Sequence, residues 1–468
     1  MQVTMQALQE ILGDKGLITD PAEMARYLDD PLGAPTTRPR VVLRPATTEQ
    51  VQAAMRWCHA EGLQVIPQGG LTGLTGAAAP HDLENTAILS LARMSKIREL
   101  DVEGATLSVD AGAVLGDIRA AADAAEMYFP LFHGAVGSSQ IGGNLSTNSG
   151  GNNALRYGTA RDQVLGIEVV LPDGTLWDGM RALRKNTAGY DLRQMFIGAE
   201  GTLGIITGAV LKLRPAPRNR ATAFVAIESP TAALKLLRIL SRHLGETIAA
   251  FELMSDGALE AALSIEGNRY PLEARAPWAL LIEAETPAMS HDLSAALEEG
   301  LAEGFEAELV QDAVISQNDT QREALWKLRE GIAGALIEEK SCLKSDTAVP
   351  VSQVPTYMEN TARAVEAFLP GVRPVPFGHL GDGNVHFNLL RPLDMEPEVF
   401  RTHWHALTVI LAKEAMKLGG TLSAEHGIGR LKRGEFEELV DPVSIDLMRR
   451  IRKMMDPDAR MNPGAIFS

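Results

Sequence analysis

Two short glycine-flanked segments of this chain carry the residues best suited to chemistry. GHLGDGNVHFN holds His379 and His386, and SAEHGIG holds Glu425 and His426. The seven-residue interval between His379 and His386 does not suit one helix face, where a spacing of three or four is needed. It suits two strands, or strand ends, joined by a tight turn at Gly381-Asp382-Gly383-Asn384. Two imidazoles brought together in this way, with a carboxylate, make a zinc-type ligand set with an open position. The alternative for any one of them is a hydrogen-bonded structural histidine. Adjacent side chains on an extended segment face apart, so Glu425 and His426 are expected to do different jobs, one on a metal and the other toward a substrate.

Two cations stand upstream. Arg329 lies in ALWKLREGIAGAL, a helical pattern, and Lys344 in SCLKSDTAVP. They could converge on the carboxylate of an acid substrate, although a solvated helix charge is the plain reading of Arg329. Trp326 reads as core rather than as a stacking platform. Thr187, Tyr190 and Arg193 in KNTAGYDLRQ are weaker candidates for placing a ligand.

Three glycine-rich stretches lie in segments separate from these groups. The central one, GSSQIGGNLSTNSGG (Gly137–Gly151), has five glycines in fifteen residues and no charge. IPQGGLTGLTGAAAP (Ile66–Pro80) precedes it and GAEGTLGIIT (Gly198–Thr207) follows. Glycine lets backbone approach a ligand closely, and bare N–H groups in such loops form concavities for phosphate oxygens. One stretch could be a surface loop; three in one domain imply a shared ligand with a long phosphate-bearing body.

The elements around them alternate. Val41–Arg44 reads as a strand, Thr47 as the cap of a helix reaching about Ala60, and Gln64–Pro67 as the strand feeding the first glycine loop. Ala87–Leu91, Thr106–Asp110, Gly166–Leu171 and Gly204–Leu213 are strand-like, and Leu115–Glu126 is helical. RPAPRNR then reads as a linker. Beyond it, Ala223–Ile227, Ile248–Leu253, Ala279–Ala284 and Glu306–Val310 are expected as strands. Gln317–Glu339 and Pro397–Leu418 are expected as helices, and the Pro463-Gly464 turn as part of a docked tail.

At 468 residues two or three domains are expected. A net charge of −16 argues against nucleic-acid binding, since phosphate repels an acidic surface. Two cysteines, Cys58 and Cys342, are too few for a disulfide framework or a four-thiolate iron–sulfur cluster. The amino-terminal segment reads as an amphipathic helix without an apolar signal core, which gives a cytoplasmic expectation.

PQGGLTGLTG, GSSQIGGNLSTNSGG, GAEGTLGIIT, GHLGDGNVHFN and SAEHGIG together resemble the FAD-binding superfamily of vanillyl-alcohol oxidase and p-cresol methylhydroxylase. Within it they resemble most the D-2-hydroxyacid dehydrogenase branch, with D-lactate and D-2-hydroxyglutarate dehydrogenases and the flavin subunit of glycolate oxidase. The resemblance runs from about Arg38 to Ser468. It implies an α+β, two-domain FAD-binding fold of the p-cresol methylhydroxylase type, with an α/β cap domain of antiparallel sheet flanked by helices. The FAD domain would span residues 1–215, the substrate domain 216–422, and 423–468 would return to the FAD domain.

Carried over by position, the resemblance puts Pro67, Gly69, Gly70, Thr72, Gly73 and Leu74 at the FAD pyrophosphate. Gly137, Ser138, Gly142, Asn144, Thr147, Asn148 and Gly151 would line the rest of the cofactor. Glu200, Gly201, Gly204 and Ile206 would close it, and Asn462 would reach back from the tail. His379, His386 and Glu425 would bind a divalent metal, zinc being the expectation, with His426 as base. Arg329, Lys344 and Asn388 would meet the substrate. Ala333 stands where the hydroxyglutarate enzymes place a threonine, which departs from that specificity. With no His or Cys in Pro67–Ala79 the FAD is expected to be noncovalent; His133 is the one exception, and its position does not match the usual tethers of the family.

The function implied is oxidation of a D-2-hydroxy acid of the D-lactate or D-2-hydroxyglutarate type to the 2-keto acid, with hydride passing to flavin. A glycolate oxidase flavin subunit or a noncatalytic flavin electron carrier are the alternatives. A metal-dependent hydrolase would leave the glycine loops unexplained. The partners implied are a small hydroxy acid and an electron acceptor (electron-transfer flavoprotein, quinone or cytochrome). No nucleic acid is implied, and a homodimer is compatible.

Overall fold

The computed structural model describes residues 4–28, 38–79, 85–339 and 341–467. Pro80, which ends the first glycine loop, and Ser468 lie outside the described residues. The chain divides into two compact units. The first comprises Met1–Gly151, Gly158–Pro215 and Glu425–Ser468; the second comprises Asn152–Tyr157 and Ala216–Ala424. The six residues Asn152–Tyr157, within the stretch expected for the FAD domain, therefore belong to the second unit. There Tyr157 donates its hydroxyl proton to Glu285 at 2.8 Å.

The two larger sheets of the first unit follow different logic. Val41–Leu43, Thr86–Ser90 and Gln64–Gln68 pair in parallel, and Leu17–Ile18 adds an antiparallel edge. The inner strands are buried throughout, as continuous apolar runs such as Val41-Val42-Leu43 require. Thr47 caps the helix Thr48–Glu61 by accepting the Gln50 N–H, and Gly62 ends it in the left-handed conformation. The second sheet is antiparallel, ordered Ile97–Asp101, Thr106–Asp110, Ile205–Lys212, Val164–Val170 and Leu176–Gly179. The tail docks as expected: Met461 bridges to Val65, and the Asn462 N–H donates to the Val65 carbonyl at 2.8 Å.

The second unit is built on seven antiparallel strands, ordered Asp312–Ile315, Asn219–Ile227, Trp278–Thr286, Ile248–Ser255, Arg373–His379, Asn384–Leu390 and Thr347–Ala348. Alternation splits its side chains between two cores. Ala223, Val225, Phe251 and Ile282 join one; Phe224, Met254, Leu281 and Phe377 join the other. The helix Asp319–Glu338 covers the second face with Leu325, Leu328, Ile332 and Leu336. The same helix presents Arg322, Trp326 and Arg329 alongside that stripe at helical spacing.

Three expectations need correction. Glu306 ends the helix Leu293–Glu306, and the strand expected over Glu306–Val310 lies instead at Asp312–Ile315. Pro397–Leu418 is two helices, Pro397–Thr402 and Trp404–Lys417. The linker is shorter than RPAPRNR, because Arg214–Pro215 pairs with Met127–Tyr128 and Asn219 already opens a strand.

Candidate functional site

In the first unit the glycine segments meet as backbone. A Cβ on Gly70 would collide with the Ser138 carbonyl, so the first and central segments can lie this close only with glycine there. Gly151 combines φ +125° with the Phe132 carbonyl where a Cβ would stand. The central segment is not wholly loop: Ile141–Ser146 forms a short helix, with Asn144 and Leu145 buried. Ser139 Oγ, Gln140 Oε1 and Asn144 Oδ1 are buried side-chain atoms with no hydrogen-bond partner among the described residues. Native interiors seldom leave such atoms unpaired, so their grouping marks a surface made to meet a polar ligand.

Glu200 ties the third segment to the return segment. Its carboxylate accepts the Ile428 and Gly429 N–H groups at 2.7 Å each, while Asn462 Nδ2 donates to its carbonyl at 2.6 Å. Burial raises its carboxyl above the usual range, and the two amides oppose that. Arg430, which no sequence motif singles out, donates to the carbonyls of Gly76, Ala77 and Pro463 and to Asn462 Oδ1, each within 2.7–2.8 Å. The Glu425-His426 pair lies in a bend rather than an extended strand, with Gly427 at φ +83°. Strand alternation therefore does not decide which way the two side chains face. The Thr75 hydroxyl donates to the His426 carbonyl at 3.3 Å.

His133 is held at both ring nitrogens. Nδ1 accepts the Ala135 N–H at 3.2 Å and Nε2 lies 2.9 Å from the Asn144 amide. Burial, then Arg119, lowers its pKa. Tyr190 is 95% exposed, and Arg193 is committed to Asp191 and the Val164 and Leu165 carbonyls. Together with Trp177 and Leu183, these two residues wall a cavity of 340 Å³.

In the second unit the hairpin expected between the histidines is present. His379 ends one strand, Asn384 opens the next, and Phe377 pairs with His386. Both rings are buried, 5.8 Å apart at 76°, with a nitrogen of each within 4.8 Å of the other. Each ring uses Nδ1 on the protein: His379 with Glu252 Oε1 at 2.7 Å, His386 with the Ser345 carbonyl at 3.2 Å. That tautomer leaves Nε2 as the lone-pair nitrogen in both, which fits a divalent metal.

Glu252 is the residue that sequence reasoning misses. It is 1% exposed, and its second oxygen accepts from Arg329 Nη2 at 2.7 Å and Nε at 2.9 Å. Burial alone would raise its carboxyl; the neighbouring His379 and the Arg329 guanidinium, both hydrogen-bonded to it, overcome that and hold it at about 2. Arg329 is only 6% exposed and lies over the Phe377 ring, so it is not a solvated helix charge. Lys344 is exposed, its ammonium pulled below the usual value by desolvation. Asn388 is buried and accepts the Ser345 N–H at 2.8 Å, leaving its NH₂ as donor. Trp326 gives its indole N–H to the buried Glu283, in keeping with a core role. Ala333 is exposed on the same helix as Arg329.

Residues 39–179 match the FAD binding domain family, and residues 216–466 match the FAD linked oxidases, C-terminal domain. A D-2-hydroxyglutarate dehydrogenase of Xanthomonas citri pv. viticola is 35% identical over 463 residues, covering 98% of this chain and 96% of that one. The chain belongs to the FAD-linked oxidases. This FAD-dependent dehydrogenase is also 34% identical to the mitochondrial D-2-hydroxyglutarate dehydrogenase of Arabidopsis thaliana, covering 97% of this chain and 80% of the relative. Its fold is that of p-cresol methylhydroxylase, with a TM-score of 0.77 at 17% identity, covering 98% and 95% of the two chains. A 4-ethylphenol oxidase from Gulosibacter chungangensis gives 0.74 at 18%, with the same coverage. The unpartnered polar atoms of Ser139, Gln140 and Asn144, beside the close approach of Gly70, fit FAD in the dehydrogenase's first unit.

Proposed function

We propose that this FAD-linked oxidase oxidises a D-2-hydroxy acid, of the D-2-hydroxyglutarate or D-lactate type, to the 2-keto acid. The observation that carries this reading is the buried His379–His386 hairpin, backed by the Glu252–Arg329 ion pair. The names of the relatives support the substrate class, and one further relative is a putative mitochondrial D-lactate dehydrogenase of Schizosaccharomyces pombe, 32% identical over 479 residues.

In this reading His379 and His386, with Glu425, would hold a divalent metal such as zinc. The metal would polarise the substrate hydroxyl, and FAD would accept the hydride. His426 takes the hydroxyl proton as general base. Lys344 offers an exposed cation to the substrate carboxylate, and the Asn388 amide a buried donor. Arg329 commits Nε and Nη2 to Glu252, so it meets the substrate by its remaining edge. The FAD is noncovalent, because both ring nitrogens of His133 are engaged by protein. Electrons leave for a separate acceptor, an electron-transfer flavoprotein, a quinone or a cytochrome. Cys58 and Cys342 are buried, their thiols pushed up to about 12, and cannot build an iron–sulfur relay.

Anaerobic mixing of the FAD-loaded protein with D-2-hydroxyglutarate, D-lactate, glycolate and the L-enantiomers tests this. Bleaching of the flavin by a D-2-hydroxy acid is expected. A fully loaded flavin that none of these acids reduces would overturn the proposal.

A further inference from the structure

We propose that Glu252 is a positioning residue, fixing His379 as the Nδ1–H tautomer while Arg329 holds the carboxylate in place. The proposal rests on the reading of His379 and His386 as metal ligands. Glu252 sits in the strand Ile248–Ser255 directly opposite His379, so both side chains stand on the same face of the sheet. Oε1 takes the His379 Nδ1 proton at 2.7 Å, and Oε2 takes Arg329 Nη2 and Nε at 2.7 and 2.9 Å.

Both contacts demand an acceptor. A carboxylate is acceptor-only at both oxygens, whereas an amide of the same shape must turn its NH₂ toward one neighbour. Turned to His379, the NH₂ of a glutamine would donate to Nδ1 and move the ring proton to Nε2, blocking the nitrogen that would face a metal. Turned to Arg329, it would set donor against donor beside a buried guanidinium. Packing alone could not distinguish Glu from Gln here; the pattern of donors and acceptors does. Arg329 matters because it occupies the second oxygen and stacks over Phe377, leaving the carboxylate one way to point.

The test is zinc affinity of the FAD-loaded protein, by competition with a chromogenic chelator, for wild type, Glu252→Gln and His386→Ala. Glu252→Gln is expected to keep its full FAD content and to bind zinc about 10–100-fold more weakly, as loss of a metal ligand's hydrogen-bond partner typically does. Wild-type affinity in Glu252→Gln, with affinity lost in His386→Ala, would overturn this inference and leave the metal reading standing. Undiminished affinity in His386→Ala would sink both. A second measurement does not depend on any variant folding. Ring ¹⁵N shifts of the metal-free wild type should show His379 protonated at Nδ1, and a ring protonated at Nε2 alone would refute the assignment.

Discussion

Gly70 and Glu252 stand at the centres of two sites built by opposite means. Around Gly70 the working surface is backbone: glycines let peptide units come together, and the side chains that remain are small and uncharged. Around Glu252 the backbone is ordinary antiparallel sheet, and the working surface is side chains locked by charge and hydrogen bonds. The first kind suits a large cofactor, whose phosphates and rings need many weak donors. The second suits a small acid, which needs a few strong groups held still. The difference also predicts how each fails. The glycine site breaks when atoms are added, and the histidine site breaks when they are removed or exchanged.

The largest effect expected crosses that division, because His426 belongs to the glycine-rich unit yet is proposed to act as a side chain. His426→Ala should keep its FAD and its metal and lose roughly 10²–10⁴-fold in the rate of flavin reduction in anaerobic single turnovers. A variant that loses metal instead would reverse the roles given to Glu425 and His426. Next, Gly70→Ala should purify largely without FAD, since the added methyl must displace backbone at a cost of about 1–3 kcal/mol or more. Gly434→Ala, on the helix Arg433–Leu439 and outside the cofactor segments, has a Cβ that would meet nothing within 4 Å and should stay yellow. Equal FAD content in the two, read by absorbance against protein, would break the account of a backbone-built site. His386→Ala should do the converse, weakening zinc more than about 10-fold while absorbance shows full FAD.

The smallest effect concerns Glu168 in the first unit, a side-chain cluster inside the glycine-built half. Burial alone would raise its carboxyl, but Arg98, Thr48 and Thr207, at 2.7–2.9 Å, hold it below the usual range. A lowered folded pKa gives stability that is present above the unfolded carboxylate pKa and is lost as pH falls through the folded one. Glu168→Gln should therefore lower Tm near neutrality, by about 1 kcal/mol or less in stability, and flatten the acid side of the Tm–pH curve. A variant with an unchanged acid limb would show that the cluster is not coupled to folding.

Local features are legible in the amino-acid order alone. The cap at Thr47, the strands around Ile66 and Ile88, the turn between His379 and His386 and the docked tail at the Pro463-Gly464 turn follow from short-range rules of capping, alternation and turn chemistry. So do the glycine segments, because glycine at such density has few other uses. Expectation and structure part where a neighbour outvotes local preference. Glu306–Val310 has an apolar alternation, yet the helix running from Leu293 carries through Glu306. The Glu425-His426 pair bends where an extended segment is expected, because Glu200 gathers the amides of Ile428 and Gly429 from 228 and 229 residues away.

The sequence by itself determined which residue types this protein could bring to a ligand: glycine loops for a cofactor, and two histidines placed across a hairpin. Only the tertiary structure decided what Arg329 does. Its helix offered solvent and core alike, and it is the strand carrying Glu252, 77 residues away in sequence, that draws it into a buried ion pair. Glu252 itself sits among apolar residues in FELMS, where no spacing rule singles it out. A charge there becomes meaningful only when sheet register sets His379 opposite it and a helix lays Arg329 across it, and register is a property of the whole sheet rather than of any one strand.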